Sequence, residues 1–328
     1  MRVSALIPTY NRRHYVPRAV ASVLSQTVPV SEIIVVDDGS TDDTADLLAQ
    51  QFGGKVRIVR QTNQGVSNAR RRAVREATGE WVAFLDSDDE WTPDRNRLLT
   101  EATSLLPEEV AWIFGDVCLV QDKADDETIF KKFGLKLDKS PHLFRDSMQV
   151  QHPFQFGLLQ ASLMRRQPLI EVDAFGAGLR HSEDFLTGVQ IACRYKVAAI
   201  EPVVTRMHRT SDLKATSLDL AGRNSDDYHR ARMLAFSLIL QSGRGGRWGE
   251  LYAEAVRGLC KNVAERGGAV RNLSLEQFRY GITGKSVAFG CAAMFGTPGL
   301  KLWKQMGRAS RRLRGQEEFS VMGIGWNS

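Results

Sequence analysis

The sequence predicts a mixed α/β protein built on a mostly parallel sheet flanked by helices, with a helical region at its C-terminal end. Two observations carry this. Short apolar runs alternate with helical patterns along the first third of the chain, which is the rhythm of strand–helix–strand units. From about Asp226 onward the pattern is helical alone.

Residues 3–7 form an apolar run ended by Pro8, the first strand. Val16, Ala19, Val20, Val23 and Leu24 then share one helical face, and Pro17 suits its first turn. Residues 32–36 make a second strand, apolar on both faces as a covered parallel strand is. It ends in Asp37-Asp38-Gly39-Ser40. Ser40 or Thr41 is placed to cap the next helix, with Asp42 and Asp43 suited to its positive end. Residues 56–59 read as a third strand, and 64–77 as a helix carrying Arg70, Arg71, Arg72 and Arg75. A fourth strand, 81–85, ends at Asp86-Ser87-Asp88-Asp89. Pro93 opens a further helix and 110–114 is a fifth strand. After Gly115 the rhythm is lost. Residues 122–139 read as a charged connection, 160–169 and 185–195 as helices, and 228–240, 248–266 and 275–280 as C-terminal helices.

Composition sets outer limits. The chain has 328 residues, 43% hydrophobic and 25% charged, which excludes a disordered chain, a collagen-like fibre and a multi-span membrane protein. The formal net charge of +6 allows an anionic partner such as a nucleotide, a phosphorylated glycan or a lipid headgroup. No nucleic-acid partner is expected. Cys118, Cys193, Cys260 and Cys291 are far apart with no CxxC pair, as in a reducing compartment. The N-terminal apolar run is too short for a signal peptide, and no apolar stretch reaches the roughly 20 residues of a spanning helix. The expected location is therefore cytoplasmic.

Ligands of an open parallel sheet bind beyond the carboxyl ends of its strands. Three clusters fall there: Pro8-Thr9-Tyr10-Asn11, Asp37-Asp38 and Asp86-Ser87-Asp88. No GxGxxG follows the first strand, and Gly284-Lys285-Ser286 lacks the first glycine of a P-loop because position 279 is Arg. Neither NAD nor P-loop ATP chemistry is supported. Asp86 and Asp88, one residue apart at a strand end, suit Mg²⁺ or Mn²⁺ as hard oxygen ligands. The other reading is a helix cap, with Ser87, Asp88 and Asp89 ahead of Trp91-Thr92-Pro93 simply starting a helix.

Residues 3–11 (VSALIPTYN), 33–42 (IIVVDDGSTD), 63–70 (NQGVSNAR) and 79–89 (GEWVAFLDSDD) occur in that order. Together they resemble the signature of the family 2 glycosyltransferases, inverting enzymes with the GT-A fold, a Rossmann-like sheet flanked by helices. The resemblance is looser through residues 181–184 and 205–208. It implies a nucleotide-sugar-binding half over 1–115 and an acceptor-binding half over 116–225; nothing of it is recognised beyond about Ser217, and the C-terminal helical region with a basic tail over 226–328 is read from the residue pattern alone. The activity it implies is metal-dependent transfer of a sugar from a nucleotide-sugar, a UDP-sugar, to a hydroxyl acceptor in polysaccharide or glycoconjugate synthesis. The acceptor would be a saccharide or a lipid-linked glycan.

By the same resemblance, Pro8, Thr9 and Tyr10 line the base pocket. Asp38 accepts a hydrogen bond from base or ribose, Asp37 supports the turn, and Asn63 contacts the base or backs it, although an Asn before Gln-Gly is also a simple turn signal. Arg70 reaches the base or a phosphate. Asp86 contacts ribose and, with Asp88, the metal; Ser87 sits with the donor between them. Glu183-Asp184 matches the family's ED motif, with Asp184 as base and Glu183 holding acceptor or loop. These two also suit a helix start behind Ser182. His208 lies near the diphosphate or metal, between Arg206 and Arg209. Two other readings compete: a nucleotidyltransferase, which PTYNRR in place of a glycine-rich loop opposes, and a degenerate GT-A domain that binds glycans or acts as a scaffold. Intact Asp86, Asp88, Glu183 and Asp184 oppose the latter. In the tail, Leu302, Trp303 and Met306 share a helical face apart from Lys301, Lys304, Arg308, Arg311 and Arg312. That pattern suits peripheral contact with the inner, anionic face of a membrane, or else a solvated basic helix or an oligomer contact.

Overall fold

The computed structural model describes residues 1–121, 127–151, 155–209, 225–243 and 247–265. The chain divides into two compact units, Met1–Gly222 and Arg223–Ser328.

The first unit begins as the periodicity predicts. Strand β1 (Val3–Thr9) is buried along its whole length. Helix α1 (Val16–Leu24) follows, burying Val16, Ala19, Val20 and Val23, with Pro17 in its first turn. Strand β2 (Glu32–Asp37), helix α2 (Thr44–Phe52), strand β3 (Arg57–Arg60), helix α3 (Val66–Glu76) and strand β4 (Trp81–Phe84) continue the alternation. A short strand β5 (Glu90–Trp91) precedes helix α4 (Arg95–Ser104) and the long strand β6 (Val110–Gln121). Then come β7 (Glu127–Thr128), α5 (Ile129–Phe133), β8 (His142–Leu143), β9 (Ser162–Arg165), α6 (Arg166–Glu171), α7 (Glu183–Ala192) and β10 (Lys196–Arg209).

One sheet holds the ten strands of the described residues, in the order β3-β2-β1-β4-β9-β6-β10-β5, with β7 on β6 and β8 on β10. Parallel pairs make up most of its paired length: β1 with β2 and β4, β2 with β3, and β6 with β10. Leu6 lies between Ile34 and Phe84 in register, which centres the core on β1. This is the curled, mostly parallel sheet flanked by helices that the sequence predicts.

Several local expectations are corrected. Residues 160–169, read as a helix, form a 3₁₀ turn, strand β9 and helix α6. Ser162, Leu163 and Met164 are wholly buried between β4 and β6, antiparallel to both. A short apolar run of this kind carries no period that separates strand from helix. The fifth strand does not stop at Phe114 but continues through Gly115 to Gln121. Gly115 is a close approach and not a break: a Cβ there would lie 2.6 Å from the Val204 side chain on β10. Ser40 and Thr41 do not cap α2. Ser40 bonds back to Asp37, while the Asp42 carboxylate accepts from Thr44 N at 3.2 Å. Within the charged connection, Thr128 caps α5.

The described part of the second unit is a helix pair, α8 (Asp226–Gln241) and α9 (Arg247–Glu265). Ser225 caps α8 by accepting from Tyr228 N at 3.1 Å. The His229 ring packs where Gly258 leaves room for it, and burial pulls its pKa down to about 4. No helix among the described residues is long and apolar enough to cross a membrane. The helix expected over 275–280 and the basic tail lie outside the described residues.

Candidate active site

The site is built at the carboxyl ends of β1, β2 and β4. Thr9 is buried, and its Oγ1 has no hydrogen-bond partner among the described residues. Pro8 is buried beside it, while Tyr10 is 45% exposed and offers an open ring. Asn11 adopts φ 51° and braces the loop after β2: its Oδ1 accepts from Thr41 N at 2.8 Å and its N–H donates to Ser40 Oγ at 2.9 Å. Asp37 is buried and accepts from Ser40. Asp38 is buried too, and its carboxylate organises the chain leading into α3. Its Oδ1 accepts from Gln61 Nε2 at 2.8 Å and Gln64 N at 2.9 Å, and its Oδ2 from Gly65 N at 2.8 Å. Asn63 is exposed on that stretch, its backbone passing so close to Gly39 that a Cβ there would sit 2.8 Å from Asn63 N. Gly39 also has φ +79°, which favours glycine. Pro8 and Thr9 thus end β1, and Tyr10, Asp38 and Asn63 lie on the loops that follow β1, β2 and β3.

The acid loop follows β4. It does not start a helix: β5 intervenes, and α4 opens only at Arg95. Asp86 turns the chain, its carbonyl accepting from Asp89 N at 3.1 Å. Ser87 is buried. Asp88 is half-buried, and no side chain among the described residues hydrogen-bonds its carboxylate. Burial and the neighbouring Asp86 push its pKa up, against Arg12 and Arg209. Asp89 is buried, and burial with Asp86 and Asp88 raises its pKa well above the usual carboxylate range. It accepts from His208 N on β10 at 2.9 Å. The His208 ring is committed as well, its Nε2 lying 2.7 Å from Glu90 Oε1, which Arg18 also meets at 3.3 Å. Arg18 donates in addition to the Asp88 carbonyl at 2.6 Å.

A second pair of carboxylates sits at the start of α7. Ser182 occupies the cap position with φ 61° and makes no side-chain cap bond, unlike the capping serine expected from the sequence. Asp184 Oδ2 accepts from Gln155 Nε2 at 3.1 Å, and its Oδ1 from Phe185 N at 2.8 Å. Glu183 is buried and pairs with Arg70 of α3. The same guanidinium donates to Asp86 Oδ1 at 2.6 Å. Burial opposes the charge on Arg70, but Asp86, Glu183 and Asp184 outweigh it and raise its pKa. Burial raises Glu183 to about 7 although Arg70 pulls it down; Asp184 and Asp86 add to the rise.

The structure therefore brings Arg70, Asp86, Glu183 and Asp184 together, and His208 to Asp89 and Glu90. It places Arg70 on carboxylates. Sequence reasoning did not single out Arg18, Asp89, Glu90 or Gln155. Asp89 and Glu90 could have been drawn from the acidic run; Arg18 and Gln155 carry no local signal. Among the described residues no three His, Cys, Asp or Glu side chains form a metal-holding group. Asp88 and Asp86 alone, crowded by like charge, still fit an ion that draws its remaining oxygens from phosphates and water.

Comparison with known proteins agrees with this architecture. The chain is 39% identical over 134 residues to the putative teichuronic acid biosynthesis glycosyltransferase TuaG of Bacillus subtilis, 40% of this chain and 51% of that protein. It is 30% identical over 125 residues to the Escherichia coli UDP-Glc:alpha-D-GlcNAc-diphosphoundecaprenol beta-1,3-glucosyltransferase WfgD, 37% of this chain and 48% of that one. An uncharacterised glycosyltransferase of Nostoc is 43% identical over 104 residues, 31% of this chain and 32% of its own. The chain thus spans about a third to a half of the length of these curated relatives. In fold it is similar to residues 1–349 of Staphylococcus aureus TarS in complex with UDP-GlcNAc, with a TM-score of 0.60 at 18% identity, covering 89% of this chain and 79% of that one. The family model for glycosyl transferase family 2 matches residues 4–169, half of the chain and most of the sheet just described, so the chain belongs to that family.

Proposed function

We propose that the chain is an inverting glycosyltransferase that moves a sugar from a UDP-sugar to a hydroxyl of a saccharide or lipid-linked glycan, with Mg²⁺ or Mn²⁺ as cofactor, in polysaccharide or glycoconjugate synthesis. The observation that carries this is the Arg70 bridge, which sets the acid loop at Asp86 and the base helix at Glu183 on one guanidinium. Donor and acceptor chemistry need those two carboxylate groups side by side. The UDP choice leans on TarS, whose structures hold UDP and UDP-GlcNAc, and on WfgD, named for UDP-Glc.

In this reading Thr9 Oγ1, Tyr10, Asp38 and Asn63 receive the nucleoside. Asp88 and Asp86 would hold the divalent ion, which when bound supplies positive charge against the leaving diphosphate. Asp184, oriented by Gln155, accepts the proton of the acceptor hydroxyl as that oxygen attacks the anomeric carbon. The bond from that carbon to the diphosphate breaks on the opposite face, so the configuration inverts. Glu183 is turned to Arg70 and holds the helix start that presents Asp184.

The test is thermal shift of the full chain against a panel of nucleotide-sugars with Mn²⁺. A ligand at about 100 times its Kd stabilises by about 2.7 kcal/mol. A rise in Tm with a UDP-sugar, reduced in Asp88→Asn, is expected. No shift with any nucleotide-sugar overturns the reading.

A further inference from the structure

Beneath the acid loop lies a buried polar cluster that the transfer step does not use. Arg95, the first residue of α4, is 0% exposed. Its Nη2 donates to the Ser162 carbonyl at 2.5 Å, and its guanidinium carbon lies 3.8 Å from the centre of the Trp91 ring. Nε and Nη1 have no hydrogen-bond partner among the described residues. Burial pulls its pKa down to about 9, and no carboxylate among the described residues opposes that fall. A buried cation without a counter-ion costs stability. Local rules are broken in this way chiefly where a site needs it.

What the cation holds is the residue just past the acid loop. Trp91 pairs with Thr205 of β10, and its Nε1 donates to the Gln160 carbonyl at 3.2 Å. Thr205 Oγ1 donates to the same carbonyl at 2.8 Å. The Gln160 side chain reaches back to Asp89 at 3.5 Å, and Asp89 accepts from His208 N. Trp91, Gln160, Ser162, Thr205 and Asp89 are all buried.

We propose that Arg95 is a positioning residue for the transfer reaction: stacked on Trp91 and tied to Ser162, it fixes the Trp91–Gln160–Asp89 floor on which the carboxylate loop 86–90 stands. It acts through that loop and touches neither donor nor acceptor. The proposal rests on the reading of the loop as the donor side.

The test is Arg95→Met in the full chain, which removes the cation and keeps most of the volume. Replacing a buried unpaired charge with an apolar side chain is expected to leave Tm unchanged or raise it. Hydrogen exchange over residues 86–91 is expected to accelerate while the β1 and β2 amides keep wild-type protection. The Mn²⁺ concentration that half-saturates UDP binding is expected to rise about 10-fold or more, the low end of what the outer support of a metal site contributes. Arg95→Lys, which keeps the charge without the planar stack, should fall between. Wild-type exchange over 86–91 in Arg95→Met overturns the proposal. So does uniform acceleration across every strand with a lowered Tm, which makes Arg95 an ordinary part of the core. If the wild-type chain takes no UDP, the donor reading fails, and the local exchange over 86–91 decides the role of Arg95 by itself.

Discussion

One guanidinium joins the two carboxylate groups of the site, and the consequences can be measured. Arg70→Met strands Asp86 and the buried Glu183. Breaking a buried pair from one side costs about 3 kcal/mol or more, so a large drop in the denaturation midpoint is expected. The double variant Arg70→Met/Glu183→Gln should recover part of it, because neither charge is then left buried alone. Glu183 itself carries a pKa of about 7 folded against 4.5 in an ordinary setting. The folded chain thus holds the extra proton between those values. The carboxyl adds stability that is complete below pH 4.5 and is lost as pH rises to 7. Denaturation across that window should show this slope in the wild type and a flatter profile in Glu183→Gln. The sequence shows Arg70 as one of four arginines on a helix. Its place on the buried face beside Ala69, Ala73 and Val74 follows from the period. Its partner 113 residues away does not, because no local pattern reports a contact made across the fold. The motifs suggest a base or phosphate contact; the two carboxylates that the folded chain sets on Arg70 carry no such signal.

Strands β1 to β4 and their helices were legible because each is a short apolar run with a clear stop and a helix of clear period. Strand β9 was not. Its identity comes from the slot between β4 and β6, a tertiary fact with no local trace. Gly115 misled for a related reason: a glycine that admits Val204 looks, in sequence, like one that ends a strand. Another glycine offers a test of how the starts of the strands are joined. A Cβ on Gly79 would lie 2.6 Å from Ser4 Oγ and 2.9 Å from Ser4 N. That hydroxyl accepts from Gly79 N at 2.9 Å and donates to Glu32, which also takes Thr78 N at 2.7 Å. Gly79→Ala should push these starts apart and cost about 1–3 kcal/mol. This end of the sheet is opposite the site, so UDP binding by the folded fraction should be unchanged.

The chain as a whole joins a glycosyl transferase family 2 unit to a second unit whose described part is a helix pair. The family was legible in the sequence because its residues cluster at strand ends, close together in the chain. Sugar and acceptor were not, since specificity depends on contacts from loops without a shared pattern. In the proposed mechanism Asp184 takes the acceptor proton while Asp88 and Asp86 serve the donor. The most direct measurement is UDP release from a UDP-sugar in Mn²⁺, with and without saccharide acceptors, by wild type and Asp184→Asn. Expected are release that acceptor stimulates, a fall of about 10²–10⁴ in Asp184→Asn, the usual contribution of a positioned base, and a UDP Kd unchanged by the substitution. Acceptor-stimulated release at the wild-type rate from Asp184→Asn would contradict that mechanism.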